Sequence, residues 1–336
     1  MAAMADIPAD LARSPAFYPM ALDMAREAIF FLAMDEVTYN ASSFLDERIA
    51  AHEKTGSWIP VAQVQGVLSN RAAVKPLHFI FHAGHVGSTL LSRLIAETGR
   101  VLSLREPLPL RALAEACDMG APNTDTFLET MLCLWERGFP GNDAVILKAT
   151  SITERLAPRL LTMRPAAKAV ALNVSAEVYL ATMFAAANSP VDLNAHGPER
   201  LHRLRSMGIE VQPPTTLGEL TAISWLAEKM TQGDMQKQFD ARVLPIDFDQ
   251  MLHSIENTMA NVLAHFGITH SAADIAAIAA SPALSFYSKA PEQAYSPELR
   301  ASLLGEARGR YPQEIRAALA WLERLAAMDD RVAVLL

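Results

Sequence analysis

The segment Leu77-His-Phe-Ile-Phe-His-Ala-Gly-His-Val-Gly-Ser-Thr-Leu-Leu91 holds the residue types and spacing best suited to chemistry in this chain. An apolar run leads into Gly84 and Gly87, and a helix-compatible stretch then runs to about Thr98, with Gly99 as its stop. Glycines remove side chains where the backbone must approach a ligand closely. The amides of Gly87, Ser88 and Thr89 would lie near a helix start, where free N–H groups and the positive end of the helix dipole favour a phosphate or sulfate. The pattern therefore points to a phosphorylated nucleotide, held by a loop of Gly84, His85, Val86, Gly87, Ser88, Thr89 and Leu90. It is not the G-x-x-x-x-G-K-[ST] loop of ATPases and GTPases. Only His85 and Val86 separate the glycines, and Ser88 stands where that motif has lysine. A tight strand-to-helix turn without a ligand is the plainer alternative.

The elements that would position this loop follow from the apolar pattern. Leu77–His82, Val101–Leu104, Ala144–Lys148, Ala167–Val174 and Val243–Phe248 are short apolar runs, as buried parallel strands tend to be. Helical stretches lie between them. The alternation predicts a three-layer α/β/α fold with a central, mainly parallel sheet of the P-loop type. Ligands in such sheets bind beyond the carboxyl ends of strands, where the 82–89 loop falls. Residues 1–75 read as a helical N-terminal extension packed on the core, with Phe17–Met34 at helical spacing and a second helix starting at a Ser43 cap. Residues 76–336 form the P-loop domain. Within it, 187–217 reads as a loop-rich insertion around a short basic helix with Arg200, Arg203 and Arg205, and is a candidate acceptor-binding lid.

Composition narrows the partners. The net charge of −8 argues against nonspecific nucleic-acid binding, so an anionic ligand must be held by a local cluster. Cys117 and Cys133 fit neither a zinc site nor a disulfide framework, and read as thiols in a reducing cytosol. No apolar run is long enough to span a membrane, and no basic-then-apolar leader opens the sequence. A cytoplasmic protein is expected.

From the loop onward the chain resembles the P-loop sulfotransferases, whose 5′-phosphosulfate loop reads roughly P-[KR]-S-G-T-T-x-L. His85-Val-Gly-Ser-Thr-Leu-Leu91 stands in that register. Downstream, Arg242-Val-Leu-Pro-Ile-Asp-Phe-Asp-Gln-Met-Leu252, then His265-Phe-Gly-Ile268, resemble the family's acidic strand end and its following helix. Trp225 and the segment Phe286-Tyr-Ser-Lys289, with Tyr295 and Arg300 beyond, are also family-like. The order is kept over about 77–300. Gly-Ser-Thr-Leu-Leu and Leu-Arg-Glu-Pro are shared with a bacterial sulfotransferase-like branch. The resemblance implies an enzyme that moves a sulfuryl group from 3′-phosphoadenosine 5′-phosphosulfate to a hydroxyl or amine acceptor, releasing adenosine 3′,5′-bisphosphate, with no metal. The acceptor would be a small molecule, a saccharide or a lipid, and a homodimer is admitted.

The resemblance also assigns roles. Glu106, after the second strand of the sheet, resembles the family's catalytic base, and His85 would sit nearest the bridging oxygen. Lys148 ends a buried strand, where an unpaired charge is costly, so its charge is expected to reach substrate, pair with Glu106 or Asp247, or exit to the surface. Asn173, Ser175 and Thr182 stand in the family's 3′-phosphate region, where Val174 replaces an arginine, and Lys289 and Arg300 match its late basic segment. Two other readings compete. One is a nucleotide kinase-like enzyme with Asp247 on a magnesium ion. The other is a non-catalytic nucleotide- or protein-binding descendant.

Overall fold

The computed structural model describes residues 10–50, 56–69, 74–287 and 290–336. In its centre, β4 (Leu77–His82), β5 (Val101–Arg105), β6 (Ala144–Lys148), β7 (Ala169–Asn173) and β8 (Val243–Asp247) form one sheet, in the order β5-β6-β4-β7-β8. Every pairing is parallel, with Phe79 opposite Ala169 and Ile80 opposite Lys148. All residues of β4 to β7 are buried, and their side chains divide by the two-residue period of a strand. Phe79, Phe81, Val145, Leu147, Ala169 and Ala171 enter one core. Ile80, Ile146, Val170 and Leu172 enter the other. Helices cover both faces, which makes the three-layer arrangement the sequence predicts. The chain leaves β4 toward β5 on one side and reaches β7 on the other. The end of β4 is therefore the switch point where such sheets bind ligands.

The N-terminal region differs from its expectation. Phe17–Asp23 and Ala28–Ala33 are strands, β1 and β2, and with β3 (Gly56–Pro60) they make an antiparallel sheet. The helical spacing of Phe17–Met34 was misleading because Pro19 and a side-chain turn interrupt it. The Asp23 carboxylate accepts from the Arg26 amide at 2.9 Å, and Glu27 takes a left-handed φ of 48°, so the chain reverses there. Tyr18, Ile29 and Phe31 then join the core cluster that contains Phe79. Ser43 does not start a helix either. A helix at Glu36–Ala41 is capped by Asp35, and the next turn of helix is Glu47–Ala50. β9 (Phe286–Tyr287) and β10 (Ala290–Ala294) form a small separate ribbon.

The expected loop-rich lid is also corrected. Ser189–Ser206 is one helix that begins beside Pro190 and continues through Pro198. Arg200 and Arg203 are buried against Glu228 of the Leu217–Phe239 helix. Arg200 Nε donates to Glu228 Oε1 at 3.0 Å, and Arg203 donates to both oxygens at 2.9 Å. Three residues apart, the two arginines share one helix face, and that face turns inward. Burial opposes ionisation of Glu228, but the two guanidiniums outweigh it and hold the carboxyl below its usual range. Glu154 lies beside them in a short turn after β6. Burial and then the Glu228 charge push its carboxyl well above the ordinary value, against Gln232, Arg203 and Arg200.

The two acids should therefore respond oppositely. Glu154 stays protonated in the fold and ionises when unfolded, so its contribution falls as pH rises above the ordinary carboxyl value. Glu154→Gln should gain stability relative to the parent as pH rises above the ordinary carboxyl value, measured by urea unfolding. Glu228→Gln leaves two buried guanidiniums uncompensated and should cost about 3–5 kcal/mol. A parallel pH profile for Glu154→Gln and its parent would contradict the protonated state.

Candidate functional site

The loop after β4 is built on left-handed backbone. Gly84, His85 and Gly87 have φ of 89°, 55° and 77°, and the Ser88–Ala96 helix starts directly from Gly87. The Gly84 amide donates to His82 Nδ1 at 3.1 Å, which ties the turn back to the strand. At Gly87 a Cβ would lie 1.9 Å from the ring of Phe248, so both conformation and contact require glycine. Phe248 leads the helix after β8 and carries the Arg300 guanidinium at 5.4 Å from its ring centre. Arg300 in turn pairs with Asp249 at 2.7 Å.

These elements enclose a cavity of about 380 Å³. Of the sequence-predicted residues, His85, Val86, Gly87, Ser88, Thr89, Leu90, Thr182 and Arg300 line it. Ser88 and Thr89 are nearly inaccessible, and Thr89 Oγ1 has no hydrogen-bond partner among the described residues. A buried hydroxyl without a partner costs free energy, so a ligand oxygen is its natural complement. The Tyr295 hydroxyl, on the same cavity, also has none. Phe286, Tyr287, Leu299 and Leu303 are exposed apolar residues on the wall. Their flat and aliphatic surfaces suit a nucleobase. Sequence reasoning missed the leucines and Phe248. Leu299 and Leu303 are four residues apart on the Pro297–Arg310 helix, a spacing that a lining face shares with an ordinary core face.

Two expected ligand contacts lie elsewhere. Asn173 Nδ2 donates to Gln232 at 3.0 Å, and its Oδ1 accepts from the Val174 amide. The Ser175 hydroxyl accepts from Val178 N and caps the Ala176–Ala185 helix. Neither lines the cavity, and Val174 is packed in the core with its carbonyl accepting from Trp225 Nε1 at 3.0 Å. The local polar groups of this turn satisfy each other, which spacing alone does not reveal. Lys289 lies outside the described residues. Gly84 belongs to the turn but does not line the cavity. Asp247 caps its own helix, one of its carboxylate oxygens accepting from the Gln250 amide at 2.9 Å.

Glu106 and Lys148 are brought together as a close ion pair, with Lys148 fully buried. Glu106 has a left-handed φ of 56°, and its amide donates to the Lys148 carbonyl at 2.8 Å, which turns the end of β5 back toward β6. The pair does not line the cavity. Residues 43–46 lie over this end of the sheet. Leu45 exchanges backbone hydrogen bonds with Arg105 and Leu108, Ser43 accepts from Arg93, and the Phe44 ring centre is 5.8 Å from Lys148 Nζ. Arg105 is buried, and donates to the carbonyls of Tyr39, Asn40 and Ser42 at the end of the Glu36–Ala41 helix. Burial, then the charge of Arg93, lowers its pKa to about 9.

Thr89→Ala should weaken nucleotide binding by about 1.5–3 kcal/mol, the range for a hydrogen bond to a charged group, and leave thermal stability nearly unchanged. Gly87→Ala should cost about 1–3 kcal/mol of stability through left-handed strain and overpacking against Phe248. Calorimetric titration and denaturant unfolding separate the two effects. Unchanged affinity in Thr89→Ala would remove that hydroxyl from the site.

No protein-family model matches the sequence, and no curated protein matches it. Similar solved structures are sulfotransferases and a dehydratase. A mouse sulfotransferase complexed with PAP shares 13% identity at a TM-score of 0.43, over 84% of this chain and 97% of that one. The sulfotransferase domain from the curacin biosynthetic pathway shares 10% at 0.38, over 76% and 98%. A retinol dehydratase in complex with androsterone and PAP shares 11% at 0.39, over 76% and 82%.

Proposed function

We propose that the chain is a sulfotransferase-like enzyme that binds an adenosine phosphosulfate donor in the cavity beside the Gly87–Thr89 loop and transfers its sulfuryl group to a hydroxyl or amine acceptor. The donor implied by the sequence resemblance is 3′-phosphoadenosine 5′-phosphosulfate. The observation that carries the reading is the left-handed turn into a helix start, opening on a cavity where the buried Thr89 hydroxyl has no partner among the described residues. Backbone amides at a helix start suit the 5′-phosphate, and Arg300 adds the permanent positive charge that Ser88 does not supply.

Sulfuryl transfer is an in-line displacement, governed mainly by positioning and charge stabilisation. The acceptor oxygen forms a bond to sulfur as the bond from sulfur to the bridging oxygen breaks. The electron pair stays on the departing nucleotide, and the acceptor's proton goes to a base. Glu106, paired with Lys148, is the proposed base, and His85 is proposed to donate to the bridging oxygen. For an acceptor to reach Glu106, residues 43–46 must move from the end of β5. A catalytically silent nucleotide-binding protein is the second reading, favoured by the burial of the Glu106–Lys148 pair.

Titration with adenosine 3′,5′-bisphosphate tests the binding half of the proposal, and absence of binding would refute it. Glu106→Gln should leave donor affinity nearly unchanged and slow turnover roughly 10²–10⁴-fold. Because that change strands a buried lysine, the Glu106→Gln, Lys148→Met double variant should recover most of the lost melting temperature without recovering turnover. Full activity in a folded double variant would exclude both residues from the mechanism.

A further inference from the structure

Among the described residues, which leave out Lys289, the cavity beside the loop is poor in positive charge. Among the described residues, its lining contains two basic side chains, His85 and Arg300. Arg300 is already paired with Asp249 at 2.7 Å, which offsets much of its charge. The neighbouring cations of the sheet's carboxyl end are engaged elsewhere. Lys148 pairs with Glu106, Arg200 and Arg203 pair with Glu228, and Arg105 donates to three backbone carbonyls. Val174, which stands where the resembling family carries an arginine, lies in the apolar core. Thr182, which does face the cavity, donates its hydroxyl to the Val178 carbonyl at 2.7 Å.

We infer that this site takes a nucleoside 5′-phosphate or 5′-phosphosulfate and gains little from a second phosphate on the ribose. The inference rests on the nucleotide reading proposed above and narrows its ligand class. One phosphate group has the loop amides, the helix start, the Thr89 hydroxyl and Arg300 to receive it. A second phosphate would add up to two negative charges beside apolar walls, in a protein of net charge −8, with the Asp249 carboxylate close by. Uncompensated charge near low-dielectric surface is unfavourable, and the overall field adds to the penalty. A free ribose hydroxyl, by contrast, is neutral and can hydrogen-bond to the Tyr295 hydroxyl, which has no partner among the described residues.

The test titrates the full chain with adenosine 5′-monophosphate and with adenosine 3′,5′-bisphosphate at the same ionic strength. Both should bind, with dissociation constants within about tenfold, since tenfold is the least that a dedicated charged hydrogen bond would yield. A bisphosphate preference above about tenfold would overturn the inference while leaving the nucleotide reading intact, whichever residue supplied the charge. Binding of neither compound would refute the nucleotide reading itself. Arg300→Gln gives a second readout. It should weaken both ligands by the same factor, and a loss confined to the bisphosphate would assign Arg300 to the second phosphate and overturn the inference.

Discussion

The left-handed turn after β4 is the constraint on which the site depends. Gly84, His85 and Gly87 all hold positive φ within four residues of chain, and the helix begins with no straight segment between. Such backbone is costly for a residue with a Cβ, and it persists because the surroundings fix it. His82 accepts from the Gly84 amide, Ser151 closes on Gly84 from the turn after β6, and the Phe248 ring lies against Gly87. Each of these comes from a different strand end of the parallel sheet. The turn can form only when β4, β6 and β8 are in register, so the loop is a product of the whole sheet rather than of its own sequence.

Charge at the sheet's carboxyl end is arranged around that turn. Glu106 and Lys148 satisfy each other at β5 and β6, under residues 43–46. Arg200 and Arg203 pair with Glu228 between the Ser189–Ser206 and Leu217–Phe239 helices, with the Glu154 carboxyl pushed up beside them by burial and the Glu228 charge. Buried ions left unpaired would be severely unfavourable, so each cluster holds its helices in a fixed relation to the sheet. The same pairing keeps these charges away from the cavity. What remains there is the helix start, Arg300 with its acidic partner, and an apolar wall. Binding at such a site would draw on backbone dipoles and surface burial more than on side-chain charge.

The backbone of this architecture was legible in the residues themselves. Five short apolar runs matched the five strands of the sheet within two residues at each end, because strands buried on both faces leave little room for polar residues. Gly84 and Gly87 marked the loop for a local reason, since few other residues tolerate that φ. The run from His85 to Leu90, Thr182 and Arg300 reached the cavity as the sequence suggested. What tertiary structure decided was whatever depends on partners distant in sequence. Pro19 and the Asp23 turn were weak local signals, and only pairing with β3 made Phe17–Ala33 a hairpin rather than a helix. Arg200 and Arg203 read as part of an acceptor-binding lid, but Glu228, some 25 residues on, draws them inward. Asn173 and Ser175 had the right chemistry for a ligand, but Gln232 and the local backbone took it up. Composition and spacing determine which residues can bend, pair or donate. The folded neighbours determine which of those capacities stay open to a ligand, because a buried polar group bonds to whatever partner the packing brings within reach.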